Sequence, residues 1–243
     1  MIKVAEAIGS ETGGKDGQAG DQTGNEILVR TFKKRSYEFT EYLRCTDRGM
    51  AARAAQFATR IAACSRFGYS QRNRWAGAKN IEAVGADRLE EAVAGDFDCS
   101  SLAIECYRLA GCPRLDMTGY TGNIRKLLKN TGYFEDCDLS NVETAQVGDL
   151  MNAPGIHVLI VVGGGSAPAP TPTPSTGQYV LVKGDNVRVR SGPSKDYKTI
   201  LIAHKGNRFD YLGDDPETGW YHIALGQNVD GWITNKTKYT ELV

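Results

Sequence analysis

The stretch of this 243-residue sequence that says most about its fold is FDCSSLAIECYRLAG, residues 97–111. The apolar residues of this stretch recur at helical spacing, Asp98 can cap the first turn, and Gly111 can end the helix. The spacing therefore predicts a helix over residues 100–110. It also places Cys99 at the start of that helix, where backbone N–H groups have no helical partner.

A cysteine in this position is a candidate nucleophile. The partial positive charge of a helix N-terminus stabilises a thiolate, which is the reactive form of cysteine. The free N–H groups of Cys99 and Ser100 are suited to receive the oxyanion that forms when a thiolate attacks a carbonyl carbon. The alternative is that Cys99 only fills space, as buried free cysteines commonly do.

A cysteine nucleophile needs a general base, and His157 is the only histidine of residues 1–162. It stands at the start of the apolar stretch IHVLIVV, which predicts a buried strand. A histidine at a strand end can point over a helix terminus, so His157 is the predicted base. The alternative is a histidine whose hydrogen bonds serve the fold alone.

A stretch rich in proline and glycine, GGGSAPAPTPTPSTG, divides the chain. Alternating prolines favour an extended spacer. We therefore expect a first domain over residues 1–162, a linker over residues 163–177 and a second domain over residues 178–243. In the first domain, helices are predicted at residues 1–9, 47–67, 100–110 and 123–130, and strands at residues 24–32 and in VGDLMNA and GIHVLIVVG. This mixture indicates an α+β fold.

Composition excludes several classes of partner. The 29 Lys+Arg residues balance the 29 Asp+Glu residues, so no broad attraction to nucleic acid or to an anionic membrane is expected. No apolar stretch approaches the roughly 20 residues of a membrane span, and the N-terminus lacks the apolar run of a secretory signal. The six cysteines include no CxxC pair, and the histidines lie far apart. These spacings favour free thiols and predict no metal site and no cofactor.

The second domain reads as short alternating strands separated by turn signals, which is typical of a small all-β barrel. Tyr211 and Tyr221 are candidate binding residues, because aromatic faces provide rigid contact area. Trp220 and Trp232 are expected in the core of the barrel.

Three segments of this domain, NVRVRSGPSKDYKTI, GWYHI and DGWI, resemble the bacterial SH3-like domains found at the ends of cell-wall enzymes. The resemblance implies a domain that holds an enzyme against peptidoglycan. Tyr211 and Tyr221 would then be wall-binding residues.

In the first domain, FDCSSLAIECYRLAG and the later VGDLMNAPGIHVLIVVGG are similar to the NlpC-type papain-like cell-wall peptidases and amidases. The upstream segments GDQTGNEILVRTF and FGYSQRNRW resemble endolysins from phages and prophages of gut Gram-positive bacteria. The resemblance implies a papain-like (NlpC-type) catalytic domain.

Carried over residue by residue, the resemblance makes Cys99 the nucleophile and His157 the base. It assigns Asp98, Ser100 and Tyr69 to the oxyanion and substrate-binding region.

The sequence departs from this family at one point. The family usually orients its histidine with a third polar residue on the strand after the histidine strand, and here that strand would fall in the linker. We hypothesise that GDQTGNEILVRTF supplies the missing strand, with Gln22 or Asp21 as the polar contact. The alternative is that these two residues belong to an ordinary surface turn.

The sequence as a whole predicts an endolysin that cleaves an amide bond of the stem peptide or cross-bridge of peptidoglycan. The resemblance implies a monomeric, cysteine-dependent endopeptidase or N-acetylmuramoyl-L-alanine amidase, and leaves the cleaved bond open. Such a protein would be made in the host cytoplasm without a signal peptide and would act on the bacterial cell wall. Two alternatives are a papain-like acyltransferase or transglutaminase toxin, and a non-catalytic wall-binding protein.

Overall fold

A computed structural model describes residues 1–139, 141–164, 178–226 and 229–243. The chain forms two compact units, one within Met1–Pro168 and the other within Ala169–Val243. Apart from residues 163 and 164, the predicted linker lies outside the described residues.

The first unit is built from eight strands and four α-helices in its described part. The strands are β1 (Lys3–Ala7), β2 (Ile27–Thr31), β3 (Glu41–Cys45), β4 (Phe67–Tyr69), β5 (Gly95–Phe97), β6 (Phe134–Asp136), β7 (Leu150–Ala153) and β8 (His157–Gly163). The helices are α1 (Arg48–Ala62), α2 (Ala76–Val84), α3 (Cys99–Leu109) and α4 (Ile124–Lys129), with 3-10 turns at Ala86–Glu91 and Val142–Thr144.

Six of these strands form one sheet in the order β2-β1-β8-β7-β3-β6, in which all neighbours are antiparallel. The strands β4 and β5 form a separate parallel pair. Helices α1 and α3 pack against each other and against β1 and β8. This arrangement confirms the α+β class and brings the start of α3 to the sheet.

Helix α1 follows from its sequence pattern. Asp47 caps it by accepting a 2.8 Å hydrogen bond from the backbone N of Met50, and Met50, Ala54 and Ile61 are buried at helical spacing. The helix ends at Ala62, earlier than the predicted residue 67, because the chain turns there and enters β4.

The helix predicted at residues 1–9 is wrong, because this segment forms β1. Val4, Ala5, Glu6 and Ala7 are all buried there, and the strand pairs with β2 on one side and β8 on the other. Pairing on both edges outweighs the helix-forming tendency of so short a segment.

The two faces of the sheet bury different clusters. Val158 and Ile160 of β8 belong to the larger cluster, which contains α1 and α3. Leu159 and Val161 belong to a smaller cluster on the other face. Because strand side chains alternate between faces, β8 contributes to both.

The second unit is all-β in its described part, as predicted. Its strands are β9 (Tyr179–Val182), β10 (Val187–Arg190), β11 (Thr199–Ala203), β12 (Arg208–Asp214), β13 (Tyr221–Gly226), β14 (Val229–Ile233) and β15 (Thr240–Leu242), in the order β11-β10-β14-β13-β12-β9-β15. Its core contains mainly β-branched residues, among them Val180, Val189, Ile223 and Ile233.

Among the aromatic residues of this unit, Trp220 and Trp232 are placed differently from the prediction. Tyr211 and Tyr221 are half-buried and pack against the core, with ring centroids 5.8 Å apart. Trp232 is half-buried and stacks on His222, with ring centroids 4.3 Å apart. Because Ile233 and Ile223 point into the core, their neighbours Trp232 and His222 point outward. The expected core position of Trp232 is therefore wrong.

Trp220 is also half-buried, and it too lies outside the apolar cluster described for this unit.

Within the described ranges, the structure has no helix of the length and apolar character that crossing a membrane requires.

Candidate active site

Cys99 is the first residue of α3 and is 8% exposed. Asp98 caps the helix: its Oδ1 accepts a 2.7 Å hydrogen bond from the backbone N of Ser101. In return, Ser101 Oγ accepts a 2.8 Å hydrogen bond from the backbone N of Asp98. This reciprocal capping box fixes the first turn and hence the direction of the Cys99 side chain.

The Asp98 carboxylate has two further partners. Ser100 Oγ donates to its Oδ1 over 2.9 Å, and Arg74 pairs with its Oδ2 at 2.9 Å. The polar groups of Asp98 and Ser100, the neighbours of Cys99 in the chain, thus hold the helix start together.

The Cys99 thiol is not ionised in this setting. Burial raises its pKa to about 12, and the nearby charge of Asp98 adds to the effect. The backbone N–H groups of Val158 and Ser100 and the charge of Arg74 act in the opposite direction without overcoming it. At this helix start, desolvation therefore opposes the stabilisation that a helix terminus gives a thiolate.

The contact with Val158 brings Cys99 to the histidine strand. Val158 directly follows His157, the first residue of β8. His157 is 9% exposed, and its Nε2 lies 2.7 Å from Oε2 of Glu6 in β1. By strand alternation, Glu6 and His157 belong to the face of the smaller cluster, while Cys99 belongs to the larger. Although the two side chains belong to different faces, the hydrogen bond from the backbone N of Val158 brings the sulfur to the start of β8, next to His157 in the chain.

Glu6 is a buried carboxylate with three charged or ionisable partners. Its Oε1 accepts hydrogen bonds of 2.6 Å from Arg30 Nε and from Arg35 Nη2, and its Oε2 contacts His157. Burial alone would raise the pKa of Glu6, but the hydrogen bonds from His157 and Arg30 and the charges of His157 and Arg35 lower it to about 2. An ionised Glu6 can only accept, so Nε2 of His157 carries a hydrogen, and Nδ1 is the ring nitrogen that a neutral His157 leaves without one.

Tyr37 borders the same site. Its ring centroid lies 6.3 Å from that of His157. Burial raises the pKa of its phenol, on which the charges of Arg35 and Glu6, and of the Cys99 thiolate at high pH, also act. Tyr37 thus lies close to both the sulfur of Cys99 and the carboxylate of Glu6.

Tyr69 is buried in β4, in the same cluster as Cys99. Its backbone N donates to Glu26 Oε2 over 2.9 Å, and its hydroxyl accepts a 3.1 Å hydrogen bond from Gln71 Nε2. Burial raises the pKa of its phenol, and the charge of the Cys99 thiolate at high pH and that of Asp98 add to the effect. Tyr69 therefore lies within electrostatic reach of the sulfur.

Asp21 and Gln22 are placed differently from the hypothesis. Asp21 Oδ1 accepts from the backbone N of Thr23 and of Gly24, and Gln22 Nε2 donates to the carbonyl of Gly20. Both side chains thus stabilise their own turn. The contact predicted between one of them and His157 is made instead by Glu6, because β1, and not the turn before β2, lies next to β8.

Sequence reasoning missed Glu6, Arg30, Arg35 and Tyr37. One signal was present for Glu6: it is a single acidic residue among the apolar residues of VAEAI. Within a buried strand, such a residue needs a charged or hydrogen-bonding partner. Nothing comparable in the sequence marks the other three.

Among the described residues, no group of three or more His, Cys, Asp or Glu side chains is arranged to hold a metal ion.

Comparison with known proteins agrees with these two units. Residues 185–239 match the model of the bacterial SH3 domain, and residues 4–168 match the model of the endolysin-like domain. No curated protein and no solved structure gives a significant match. The two family matches support a hydrolase that acts on peptidoglycan. Because the larger match covers more than half of its residues, this chain belongs to the endolysin-like domain family.

Proposed function

We propose that this chain is a cysteine-dependent peptidoglycan hydrolase that cleaves an amide bond of the stem peptide or the cross-bridge. One observation carries the proposal: the sulfur of Cys99, at a capped helix start, meets the strand residue next to His157, whose ring is held by the buried carboxylate of Glu6. A nucleophile, a base and a group that orients the base are thus contributed by α3, β8 and β1.

The protonation states define how the nucleophile is activated. With a pKa of about 12, Cys99 is a neutral thiol near pH 7. His157 therefore takes the thiol proton on Nδ1 as the substrate is attacked. The ionised Glu6 faces Nε2 and stabilises the imidazolium that forms.

The reaction then follows the steps of an acyl transfer. The sulfur bonds to the amide carbonyl carbon, and the carbonyl oxygen becomes an oxyanion. The carbon–nitrogen bond breaks, the leaving nitrogen takes the proton from His157, and a thioester remains on Cys99. Water next attacks the thioester carbon while His157 accepts its proton. The carbon–sulfur bond breaks, and the sulfur recovers that proton as the acid is released.

The oxyanion would be bound at the start of α3. The backbone N–H of Cys99 lies in the first turn, where no earlier helical carbonyl is available to it, and the N–H of Ser100 beside it faces the sulfur. Tyr69, buried nearby, is the candidate that borders this region. Oriented N–H groups in such a dry site stabilise a developing negative charge.

The papain-like (NlpC-type) fold is part of the proposal. A cysteine at a helix start and a histidine at the start of an antiparallel strand are both features of that family. The orienting residue comes from β1, on the opposite side of β8 from β7. The SH3 unit would hold the enzyme on peptidoglycan, with Tyr211 and Tyr221 as candidate wall contacts.

Turbidity of purified Gram-positive cell walls tests the proposal. We expect the wild type and Cys137→Ala to clear the walls, because Cys137 lies outside the proposed site, and we expect Cys99→Ala and His157→Ala to leave them turbid. Clearing by Cys99→Ala at the wild-type rate would refute the proposal. Mass spectrometry of the released fragments would identify the bond, since hydrolysis leaves one new amine and one new carboxylate. Transfer of the acyl group to another amine would indicate the transferase alternative.

A further inference from the structure

The carboxylate that faces His157 is held by two arginines from different segments. Arg30 lies in β2 opposite Val4, while Arg35 lies in the segment between β2 and β3. Both donate to the same oxygen of Glu6 over 2.6 Å. The other oxygen is thereby left for His157.

Arg35 is fixed by more than its ion pair. Its guanidinium lies 5.9 Å from the centroid of the Phe32 ring, in a cation–π contact. The backbone N of Phe32 donates a 2.9 Å hydrogen bond to the carbonyl of Ile2, which ties the segment to the strand of Glu6. The Arg35 side chain is 14% exposed, against 38% for Arg30. Arg35 is thus the more enclosed of the two cations.

We propose that Arg35, assisted by Arg30, is a positioning residue of the reaction: it holds Glu6 in place and ionised, so that Glu6 orients His157 toward Cys99. This inference rests on the proposed function. Neither arginine touches the reacting atoms, and each acts through Glu6.

The balance of charges around Glu6 requires such cations. Glu6 is 1% exposed, and a carboxylate without partners at that burial takes up a proton instead of remaining charged. The groups that face it are His157 on β8, Arg30 on β2, and Arg35 and Tyr37 from the segment after β2, with Cys99 close to Tyr37. Only the two arginines are permanently positive.

Without the arginines, Glu6 would be protonated at a higher pH. A protonated Glu6 no longer provides a negative charge for the imidazolium that forms when His157 accepts the Cys99 proton. Activity on the acid side of the pH profile therefore depends on the arginines. This dependence distinguishes a positioning role from a merely structural one.

The first experiment measures wall clearing against pH for Arg35→Met, Arg35→Lys and Lys34→Met in the full chain. We expect Arg35→Met to lose at least about tenfold in rate and its acid limb to move to higher pH by about one unit or more. Arg35→Lys should recover part of the rate and part of the pH shift, because lysine restores the positive charge without the geometry of the guanidinium group. Lys34→Met is the matched control, since Lys34 is exposed and is not part of the cluster, and it should behave as wild type.

A double-mutant cycle supplies the second readout. In a Glu6→Gln background, Arg35→Met should cost no further activity, because the group through which Arg35 acts is already neutral. Additive losses, or an Arg35→Met protein with the wild-type pH profile, would overturn the inference.

Thermal unfolding shows whether each variant folds. If Arg35→Met does not fold, Arg35→Lys and Arg30→Met replace it in the test. We expect the acid limb of their pH profiles to move in the same direction by a smaller amount. An unchanged pH profile would count against the inference. Cys99→Ala separates the two proposals. If Cys99→Ala clears the walls, the proposed function is wrong. If Cys99→Ala is inactive and the Arg35 variants keep the wild-type pH profile, only the role of Arg35 is wrong.

Discussion

The helix start at Cys99 and the carboxylate cluster at His157 are the two halves of the candidate site, and they are assembled differently. At Cys99, the cap is made by Asp98 and Ser101, three residues apart. At His157, the partner is Glu6, which is 151 residues away in the sequence. The first half is therefore a local structure, while the second exists only when the sheet has formed.

The two halves also differ in what they contribute chemically. The local half places the sulfur but does not ionise it, because burial and the charge of Asp98 keep the pKa of Cys99 high. In the proposed mechanism, the long-range half provides a buried base with a fixed negative partner. The proposal therefore requires both halves for a nucleophile that works near pH 7.

The largest expected effect concerns the rate at which the Cys99 thiol is alkylated. With the pKa of Cys99 at about 12, the rate of its alkylation by iodoacetamide should rise about tenfold for each pH unit between pH 7 and pH 10. The low exposure of Cys99 would slow alkylation at every pH without changing this slope. Mass spectrometry of the Cys99 peptide measures the rate. A plateau near pH 7 would show that the helix start ionises the thiol by itself.

The same difference explains how much the sequence could predict. The start of α3, its cap and Cys99 could be predicted because all the residues that determine them are consecutive. The strand β1 could not, because VAEAI forms a strand only when β2 and β8 pair with it from distant parts of the chain. Glu6, Arg30 and Arg35 were missed for that reason. In the second unit, the alternation of apolar and polar residues predicted the strands. It did not predict whether the side chain of Trp232 points inward or outward, because that depends on which neighbouring residues fill the core.

Removing the cap should be the next largest perturbation. Asp98→Ala takes away the hydrogen bond to Ser101 and leaves Arg74, whose side chain is 21% exposed, without its carboxylate. We expect a loss of about 3 kcal/mol in the free energy of unfolding. Ser101→Ala removes one arm of the capping box and should cost about 1 kcal/mol. Urea unfolding measures both, and equal losses would mean that the Arg74 ion pair contributes nothing.

The last predicted effect concerns Asp96, whose hydrogen bond links the segment before Cys99 to the segment between β1 and β2. Asp96 lies in β5, three residues before Cys99, and its Oδ1 accepts a 3.1 Å hydrogen bond from the backbone N of Gly20, in the segment that connects β1 to β2. Burial raises its pKa to about 6, the Gly20 hydrogen bond opposes that shift, and the nearby charges of Glu26 and Glu11 add to it. The folded state therefore holds this proton more tightly than the unfolded state does.

A raised pKa makes a contribution to stability that is complete below about pH 4 and is lost as the pH rises through about 6. At about 1.4 kcal/mol for each pKa unit, the shift from the ordinary value of 3.8 to about 6 amounts to about 3 kcal/mol, of which about 2 kcal/mol is lost between pH 4 and pH 7. The difference in unfolding free energy between wild type and Asp96→Asn should change by that amount between pH 4 and pH 7. Asp16→Asn is the control of opposite sign, because hydrogen bonds from the backbone of Arg72 and from Ser70 lower the pKa of Asp16. If the Asp96→Asn difference stays flat with pH, Asp96 is already ionised in the folded protein across this range, and its pKa is not raised by burial.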